Sequence, residues 1–199
     1  MTAPEKQELG WETKSSVREF HGDHVSVVSE EVRTPARPEG TKWTTVHRKL
    51  AVVVAAMTRD GKFLLLHEER IPIRRTLWGM PAGQVDEENA TSEMIEETAR
   101  RELVEETGYQ LAKDGELIAL GDFFASPGFT DERQFLFLAR PVEHVPGAKR
   151  HDAESIVDCR AFSPAQLQRM IASGEIRDAN TLSIFARLAA RGLIELERS

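Results

Sequence analysis

The sequence predicts an α+β protein, or a mixed-sheet α/β protein, with a small β unit at its N-terminus. Apolar runs of strand length stand before and after one internal segment of helical periodicity, an order typical of a mixed sheet and not of a helix bundle. Two further helices are predicted after the last strand. With 199 residues and 40% hydrophobic content, the chain is long enough to bury a core in one domain with an appendage.

Residues 1–48 are predicted to form the small β unit. Pro35, Pro38 and Gly40 predict a loop within it. A unit of this size buries little apolar surface alone, so we expect it to pack on the rest of the chain or on a second copy. Alternating and apolar-rich segments predict its strands at residues 15–20, 25–32 and 42–49.

Residues 49–199 are predicted to form the main domain. Pro81-Ala82-Gly83 predicts a loop between the early strands and the internal helix. That helix is predicted at residues 92–107, where Ile95, Ala99 and Leu103 recur at helical spacing, with Gly108 ending it. Apolar runs predict strands at residues 51–57, 63–67, 117–125, 134–139 and 155–162.

Two capping residues predict the last helices. Ser163, followed by Pro164, predicts a helix to about residue 173, and Asp178 predicts another that ends near Gly192. Within the internal helix, Glu97 and Arg101 have the favoured order for an i, i+4 ion pair.

Charge and cysteine content exclude several function classes. The net charge is −7 and no basic patch appears, which argues against nucleic acid as a partner. No apolar run of membrane-spanning length and no signal peptide appear, so we expect no membrane partner and a cytoplasmic location. Cys159 is the single cysteine, which rules out an intrachain disulfide.

Three glutamates crowd one face of the internal helix. Glu102, Glu105 and Glu106 stand at i, i+3 and i+4, and like charges at that spacing repel by about 0.2–0.5 kcal/mol per pair. A divalent cation would convert this repulsion into a ligand set, because Mg²⁺ prefers carboxylate oxygens and bridges to phosphate. The alternative is a solvated acidic helix face.

The context of these glutamates resembles a known motif. Residues 101–109 read Arg-Glu-Leu-Val-Glu-Glu-Thr-Gly-Tyr and resemble the Nudix box of hydrolases that act on nucleoside diphosphates linked to another group. Glu93 has the spacing to Arg101 that the box requires. One position departs from the box, since Glu87 stands where it has its first glycine.

Three further segments resemble the ADP-ribose pyrophosphatase branch of that family. They are Trp-Gly-Met-Pro-Ala-Gly at 78–83, the Ser-Pro-Gly-Phe segment at 125–132 and the closing pattern at 174–181. Gly79 departs from the branch, which commonly has glutamate there. The resemblance implies a Nudix-like α/β/α sandwich with a mixed β-sheet. It also implies a homodimer that exchanges the N-terminal β unit.

The resemblance implies a metal site built from oxygen ligands. Glu102 and Glu106 would be the principal ligands of Mg²⁺, or alternatively of Mn²⁺. Glu105 would support them, and the backbone carbonyl of Ala82 would be a further ligand. Gly83 would permit close approach of the backbone there.

The general base is expected in an acidic loop before a late strand. By the resemblance, Glu154 is the favoured residue. Asp152 and Glu132 are its rivals, and Glu105 is a further candidate if that loop is remote. The alternative for Glu154 is a solvated loop residue.

Substrate contacts are also implied by the resemblance. Arg70 would pair with the diphosphate, for which a planar guanidinium suits bidentate contact, the alternative being a surface arginine at a strand end. Arg48 is a second phosphate candidate. Phe129 would stack on the substrate or line its pocket, the alternative being a core phenylalanine.

The sequence thus predicts divalent-metal-dependent hydrolysis of the pyrophosphate bond of a small nucleoside diphosphate substrate. ADP-ribose, giving AMP and ribose 5-phosphate, is the leading substrate, and GDP-mannose or another nucleoside diphosphate derivative is the alternative. Two other interpretations remain open at this point. One is a sensor that binds a nucleotide sugar without turnover, and the other is a metal-stapled dimer without a substrate.

Overall fold

The computed structural model describes residues 9–86, 90–147 and 155–197. These residues form ten strands and three α-helices, with a short 3-10 helix at Ile71–Ile73. In chain order they are β1 (Glu12–His21), β2 (Val25–Thr34), β3 (Arg37–Arg48), β4 (Ala51–Thr58), β5 (Phe63–Arg70), β6 (Arg75–Gly79), β7 (Ala82–Gln84), α1 (Ser92–Thr107), β8 (Tyr109–Phe124), β9 (Arg133–His144), β10 (Ile156–Phe162), α2 (Pro164–Ala172) and α3 (Ala179–Ala190).

The first three strands form a separate antiparallel sheet in the order β1-β2-β3. The strands predicted at residues 15–20, 25–32 and 42–49 are confirmed within β1, β2 and β3, apart from Lys49. The loop predicted at Pro38 and Gly40 is wrong, because both lie inside β3. Thr34 pairs with Arg37 and Val32 with Thr41, so residues 38–40 bulge out of the ladder. An edge strand with a bulge tolerates proline, since its missing N–H is not needed there.

The central sheet is mixed. Its strands follow the order β10-β5-β4-β9-β8, with β6 paired to β5 and β7 to β4. β4 and β9 run parallel, and the other pairs are antiparallel. The loop predicted at residues 81–83 is wrong, because Ala82 and Gly83 belong to β7. The sequence analysis also missed β6, which precedes β7. The chain therefore pairs first with β5, through β6, and then with β4, through β7.

Helices cover both faces of the central sheet. Alternate residues of β4 point to opposite faces, Val52 and Val54 to one and Val53 and Ala55 to the other. The Val52 face packs against apolar residues of α1, and the Val53 face packs against α2 and α3. The α/β/α sandwich predicted from the sequence is therefore observed.

Helix bounds agree with the local signals. α1 spans the predicted residues 92–107, with Thr91 at its N-cap and Gly108 at its C-cap with φ +75°. α2 begins after Ser163 in a capping box, and Asp178 caps α3. None of the helices in the described ranges is long and apolar enough to cross a membrane.

Candidate active site

α1 directs two of its three predicted site glutamates into the protein. Glu102 and Glu106, one helical turn apart, are only 5% and 4% exposed. Glu105 lies at the side of the helix, where about a third of its side chain is exposed. Burial of two carboxylates is costly unless each has a partner, so a solvated acidic face no longer describes Glu102 and Glu106.

The backbone of β7 meets both buried carboxylates. The Ala82 N–H donates to Oε2 of Glu106 at 2.8 Å. At Gly83, an added Cβ would lie 2.0 Å from Cδ of Glu102. No side chain fits at position 83 while Glu102 occupies its observed place, so glycine is required by this close approach.

The hydrogen-bond alternation of β7 also fixes the direction of the Ala82 carbonyl. Pro81 accepts from an amide of β4 and Val85 donates to a carbonyl beside β4, both at 2.8 Å. In an antiparallel ladder, successive residues point their backbone polar groups to opposite sides. The N–H and the C=O of Ala82 therefore face away from β4, towards Glu106.

Arg101 joins the buried and half-buried glutamates. Its guanidinium lies 2.7 Å from Oε1 of Glu102 and 2.8 Å from Oε2 of Glu105. Burial lowers the pKa of Arg101, but attraction to both carboxylates outweighs it, and the pKa is raised above its ordinary value. The predicted ion pair between Glu97 and Arg101 is not formed among the described residues, because Arg101 turns towards the site.

Glu93, the first acidic residue of the motif, lies in the first turn of α1. Its carboxylate accepts hydrogen bonds from its own backbone N–H and from Thr91, which lowers the pKa of Glu93.

These residues match the chemistry of a hard divalent cation. Two buried carboxylates and an adjacent backbone carbonyl are all oxygen donors, which Mg²⁺ and related ions prefer. Over residues 9–86, 90–147 and 155–197, no three acidic, histidine or cysteine side chains form a preassembled metal cluster. In the observed arrangement the Glu105 carboxylate is paired with Arg101 and the Glu106 carboxylate accepts from Ala82.

Arg70 lies on the same face of the sheet as α1. It ends β5, and its side chain shares a strand face with Glu68 and Leu64 by period-two alternation. Leu64 packs in the apolar cluster that contains α1 residues. The Arg70 guanidinium is half-exposed and lies 2.9 Å from Oε1 of Glu68.

A second cluster of polar residues forms where β3 meets the loop between β8 and β9, residues 125–132. Asp131 contacts the ring of His47 at 2.6 Å and accepts from the Arg48 N–H at 3.1 Å. The Arg48 side chain donates to Glu132 at 3.0 Å. Arg48 and Glu132, predicted separately as a phosphate contact and a candidate base, are thus ion-paired with each other.

Phe129 lies in the same loop but is not a core residue, because it is 53% exposed. Its carbonyl accepts from the Val46 N–H of β3 at 2.8 Å. The side chain borders a groove of about 630 Å³ between the loop and the N-terminal sheet. Exposed aromatic residues line that groove, namely Trp11, Trp43, Phe124 and Phe129.

The two clusters stand at the same end of the central sheet. Ala51, at the start of β4, pairs with Gln84 of β7 on one side and with Gln134 of β9 on the other. β7 carries the Ala82 backbone, and β9 begins directly after Glu132. Glu87, Asp152 and Glu154 lie outside the described residues.

One contact of the site was missed by the sequence analysis. The Met80 N–H, just before β7, donates to Oγ1 of Thr181 in α3 at 2.9 Å. The two residues are 101 positions apart. No local pattern links residues so distant in sequence.

The chain is similar to several known proteins. A sequence model of the NUDIX domain matches residues 47–183. The ADP-ribose pyrophosphatase of Bacillus subtilis (strain 168) is 30% identical over 179 residues, 90% of this chain and 92% of that protein. The ADP-ribose pyrophosphatase of Mycobacterium tuberculosis (strain ATCC 25618 / H37Rv) is 30% identical over 186 residues, 94% of this chain and 86% of that protein.

A solved structure described as an ADP compounds hydrolase resembles the whole fold. Its TM-score is 0.72, and the match covers 95% of this chain and 100% of that chain. At 16% sequence identity this likeness concerns the fold alone, and it agrees with the sandwich described above.

Proposed function

This chain belongs to the Nudix family, and from that membership we propose that it hydrolyses the pyrophosphate bond of ADP-ribose or a related nucleotide sugar. From ADP-ribose the products would be AMP and ribose 5-phosphate. The two ADP-ribose pyrophosphatases to which the chain is similar over most of its length support this choice of substrate.

One observation carries the proposal. The carboxylates of Glu102 and Glu106 are buried against the Ala82–Gly83 backbone, at a spacing that excludes any side chain at position 83. Two buried anions one turn apart oppose folding unless positive charge compensates them. A protein that only needed a stable helix–sheet contact would gain more from apolar residues at both positions.

Nudix hydrolases generally use divalent metal ions, and here we propose Mg²⁺, with Mn²⁺ as the alternative. Glu102 and Glu106 would hold the ion, with Glu105 in support and the Ala82 carbonyl as a further ligand. When bound, the ion supplies charge that polarises phosphoryl oxygens and favours attack by water. The protein's own part is to present both carboxylates from α1 and to fix the backbone of β7 opposite them.

Arg70 and Arg48 are proposed to bind the phosphates. Arg70 projects from the face of the sheet that α1 covers, and a guanidinium at the end of β5 suits bidentate contact with a diphosphate. Arg48 would exchange part of its contact with Glu132 for the substrate. Phe129, half-exposed beside the groove, would offer its ring to stack on the substrate.

Glu154 is proposed as the general base, with Glu105 as the alternative. The residue after it, Ser155, accepts from the Glu69 N–H at 2.9 Å, so the chain re-enters the sheet beside Arg70. Glu132 is a weaker candidate because Arg48 already engages its carboxylate. Glu154 would take the proton of the attacking water on its carboxylate oxygen.

A homodimer through the N-terminal unit is also proposed. Every residue of β1 is exposed, and the groove beside the N-terminal sheet is lined by exposed aromatic side chains. Monomeric proteins rarely expose contiguous apolar patches of large area. The proposed occupant is the N-terminal unit of a second copy of this chain.

Product release from a substrate panel tests the proposed activity. ADP-ribose, GDP-mannose, UDP-glucose, NADH and dGTP are each incubated with Mg²⁺ or with chelator, and products are separated by chromatography. We expect metal-dependent AMP from ADP-ribose. Faster cleavage of GDP-mannose than of ADP-ribose would assign GDP-mannose as the substrate. Tight binding of a panel member without turnover would indicate a sensor. Failure to bind or cleave any member would contradict the proposal.

A further inference from the structure

We propose that Thr181, in α3, is a positioning residue for the hydrolysis, a role that rests on the proposed function. Its buried hydroxyl holds the chain between β6 and β7 so that the Ala82 backbone meets the Glu106 carboxylate. The residue lies on the opposite helix layer from Glu102 and Glu106, and it acts through the sheet backbone.

The bend that Thr181 holds, residues 80–81, belongs to neither of the two strand ladders beside it. Gly79 is the last residue paired with β5, and Ala82 is the first residue of β7, paired with β4. Met80 lies between the two ladders and is 2% exposed. A buried N–H at such a break needs a partner from elsewhere, and Thr181 supplies it at 2.9 Å.

A hydroxyl group suits this position because it both donates and accepts. Oγ1 of Thr181 accepts from the Met80 N–H and donates to Oδ2 of Asp178 at 2.7 Å. The same carboxylate oxygen accepts from the Thr181 N–H at 2.8 Å, which caps α3. The hydroxyl is therefore held by a charged acceptor, and Thr181 is fully buried.

Three consecutive links lead from Thr181 to the site. Met80 is bound to Thr181, Pro81 accepts from the Val54 N–H of β4, and Ala82 donates to Glu106. Each residue of the bend is thus fixed by a different element. Loss of the first link frees the backbone two residues before the Ala82 N–H and C=O, the groups that face Glu106.

The test compares Thr181→Val, which keeps shape and removes the hydroxyl, with Thr181→Ser, which keeps the hydroxyl. Mn²⁺ binding to the substrate-free protein is followed by electron paramagnetic resonance, and kcat and KM for ADP-ribose are measured separately. We expect Thr181→Val to weaken Mn²⁺ binding and lower kcat by about 10- to 100-fold with KM unchanged, as for other residues that orient metal ligands. Thr181→Ser should restore both.

Ser163→Ala is the control for a purely structural effect. It removes the capping box of α2, which Ser163 forms with Gln166, and so destabilises a helix on the same side of the sheet. We expect it to lower the urea midpoint while Mn²⁺ affinity and kcat per folded molecule stay at the wild-type values. Equal losses of Mn²⁺ affinity in Ser163→Ala and Thr181→Val would overturn the positioning role.

Other outcomes separate this inference from the proposed function. Wild-type Mn²⁺ affinity in Thr181→Val, or equal impairment of the Val and Ser variants, would overturn the inference alone. If Thr181→Val does not fold, Thr181→Ala replaces it, because it also removes the hydroxyl that accepts from the Met80 N–H, and unchanged Mn²⁺ affinity there would overturn the inference. A wild-type protein that neither binds Mn²⁺ nor cleaves ADP-ribose would overturn both.

Discussion

Buried negative charge is the main cost at the level of single residues. The penalty for moving an ion out of water is several kcal/mol even after relaxation, and Glu102 and Glu106 are both almost fully buried. Arg101 compensates Glu102 in part, and the Ala82 N–H contributes one hydrogen bond to Glu106. A divalent cation bound between the two carboxylates would offset this cost, because its charge would compensate both of them.

Gly83→Ala is predicted to abolish most activity while the protein still folds. The added methyl group would overlap the Glu102 carboxyl carbon at 2.0 Å, so the carboxylate must move. Displacement of a reacting group by about 1 Å costs on the order of 100-fold in rate, and we expect a kcat loss of that size. Steady-state kinetics and thermal unfolding measure the two effects separately.

Gly79→Ala is the matched control for that prediction. It lies on the same stretch of chain, and an added Cβ there comes within 3.4 Å of Asp178 and 3.6 Å of Thr181, ordinary contacts that require neither residue to move. It should keep most of the activity. Equal kcat values for Gly83→Ala and the wild type would show that Glu102 does not need its observed place.

Local signals determine some elements of the fold and leave others undetermined. α1 was predicted with its observed bounds, because an apolar stripe and an acidic cluster lie within the helix and Gly108 directly follows its last residue. β6 and β7 were missed, since five- and three-residue strands exist only through pairing with β5 and β4. The first half of β8 was missed because its residues are largely polar and pair with the end of β9.

The same distinction applies to the site. The roles expected of Glu102, Glu106, Ala82 and Gly83 came from a compact motif and the loop before it, and the structure brings these four together. The Met80–Thr181 and His47–Asp131 contacts span 101 and 84 residues, so no spacing in the sequence indicated them.

Asp131→Ala is predicted to raise KM for ADP-ribose more than it lowers kcat. Asp131 joins the loop at 125–132 to β3 through the His47 ring and the Arg48 N–H. The loop carries Phe129 and Glu132, so its release would disturb substrate contacts and leave α1 in place. Because the pair is half-exposed, we expect a stability loss of no more than about 1 kcal/mol.

Asp114→Ala is the control, since Asp114 is an exposed carboxylate that pairs with Arg59, just past the opposite end of β4 from the site. It should leave KM unchanged. A fall in kcat with constant KM in Asp131→Ala would indicate that the loop serves the chemical step and not substrate binding.

At the scale of the whole molecule, the N-terminal sheet is the part that the sandwich does not bury. It touches the main sheet where β3 meets the loop at 125–132, through the bridge between Val46 and Thr130. A second copy docked on this sheet would therefore restrain the position of the loop that carries Phe129. Dimer formation and substrate binding would then be coupled through one short contact.

Sedimentation velocity at micromolar concentration is predicted to show a dimer. Trp43→Glu, which places a charge in the aromatic groove, should shift the protein towards monomer. Val157→Glu is the control, because Val157 is an exposed apolar residue that lies outside the groove. It belongs to β10, at the edge of the central sheet opposite to β8. A compact monomer for the wild type would contradict assembly through the N-terminal unit.

The measurement that tests the central claim most directly compares Glu106→Gln with Glu97→Gln. Both change one carboxylate of α1 to an amide, but Glu106 is buried against Ala82 and Glu97 is exposed. In Glu106→Gln the new amide oxygen can still accept from the Ala82 N–H, so the fold should persist. Mn²⁺ binding and AMP release from ADP-ribose are measured for both variants. The account predicts that Glu106→Gln loses both while Glu97→Gln keeps both, and wild-type turnover by Glu106→Gln would contradict it.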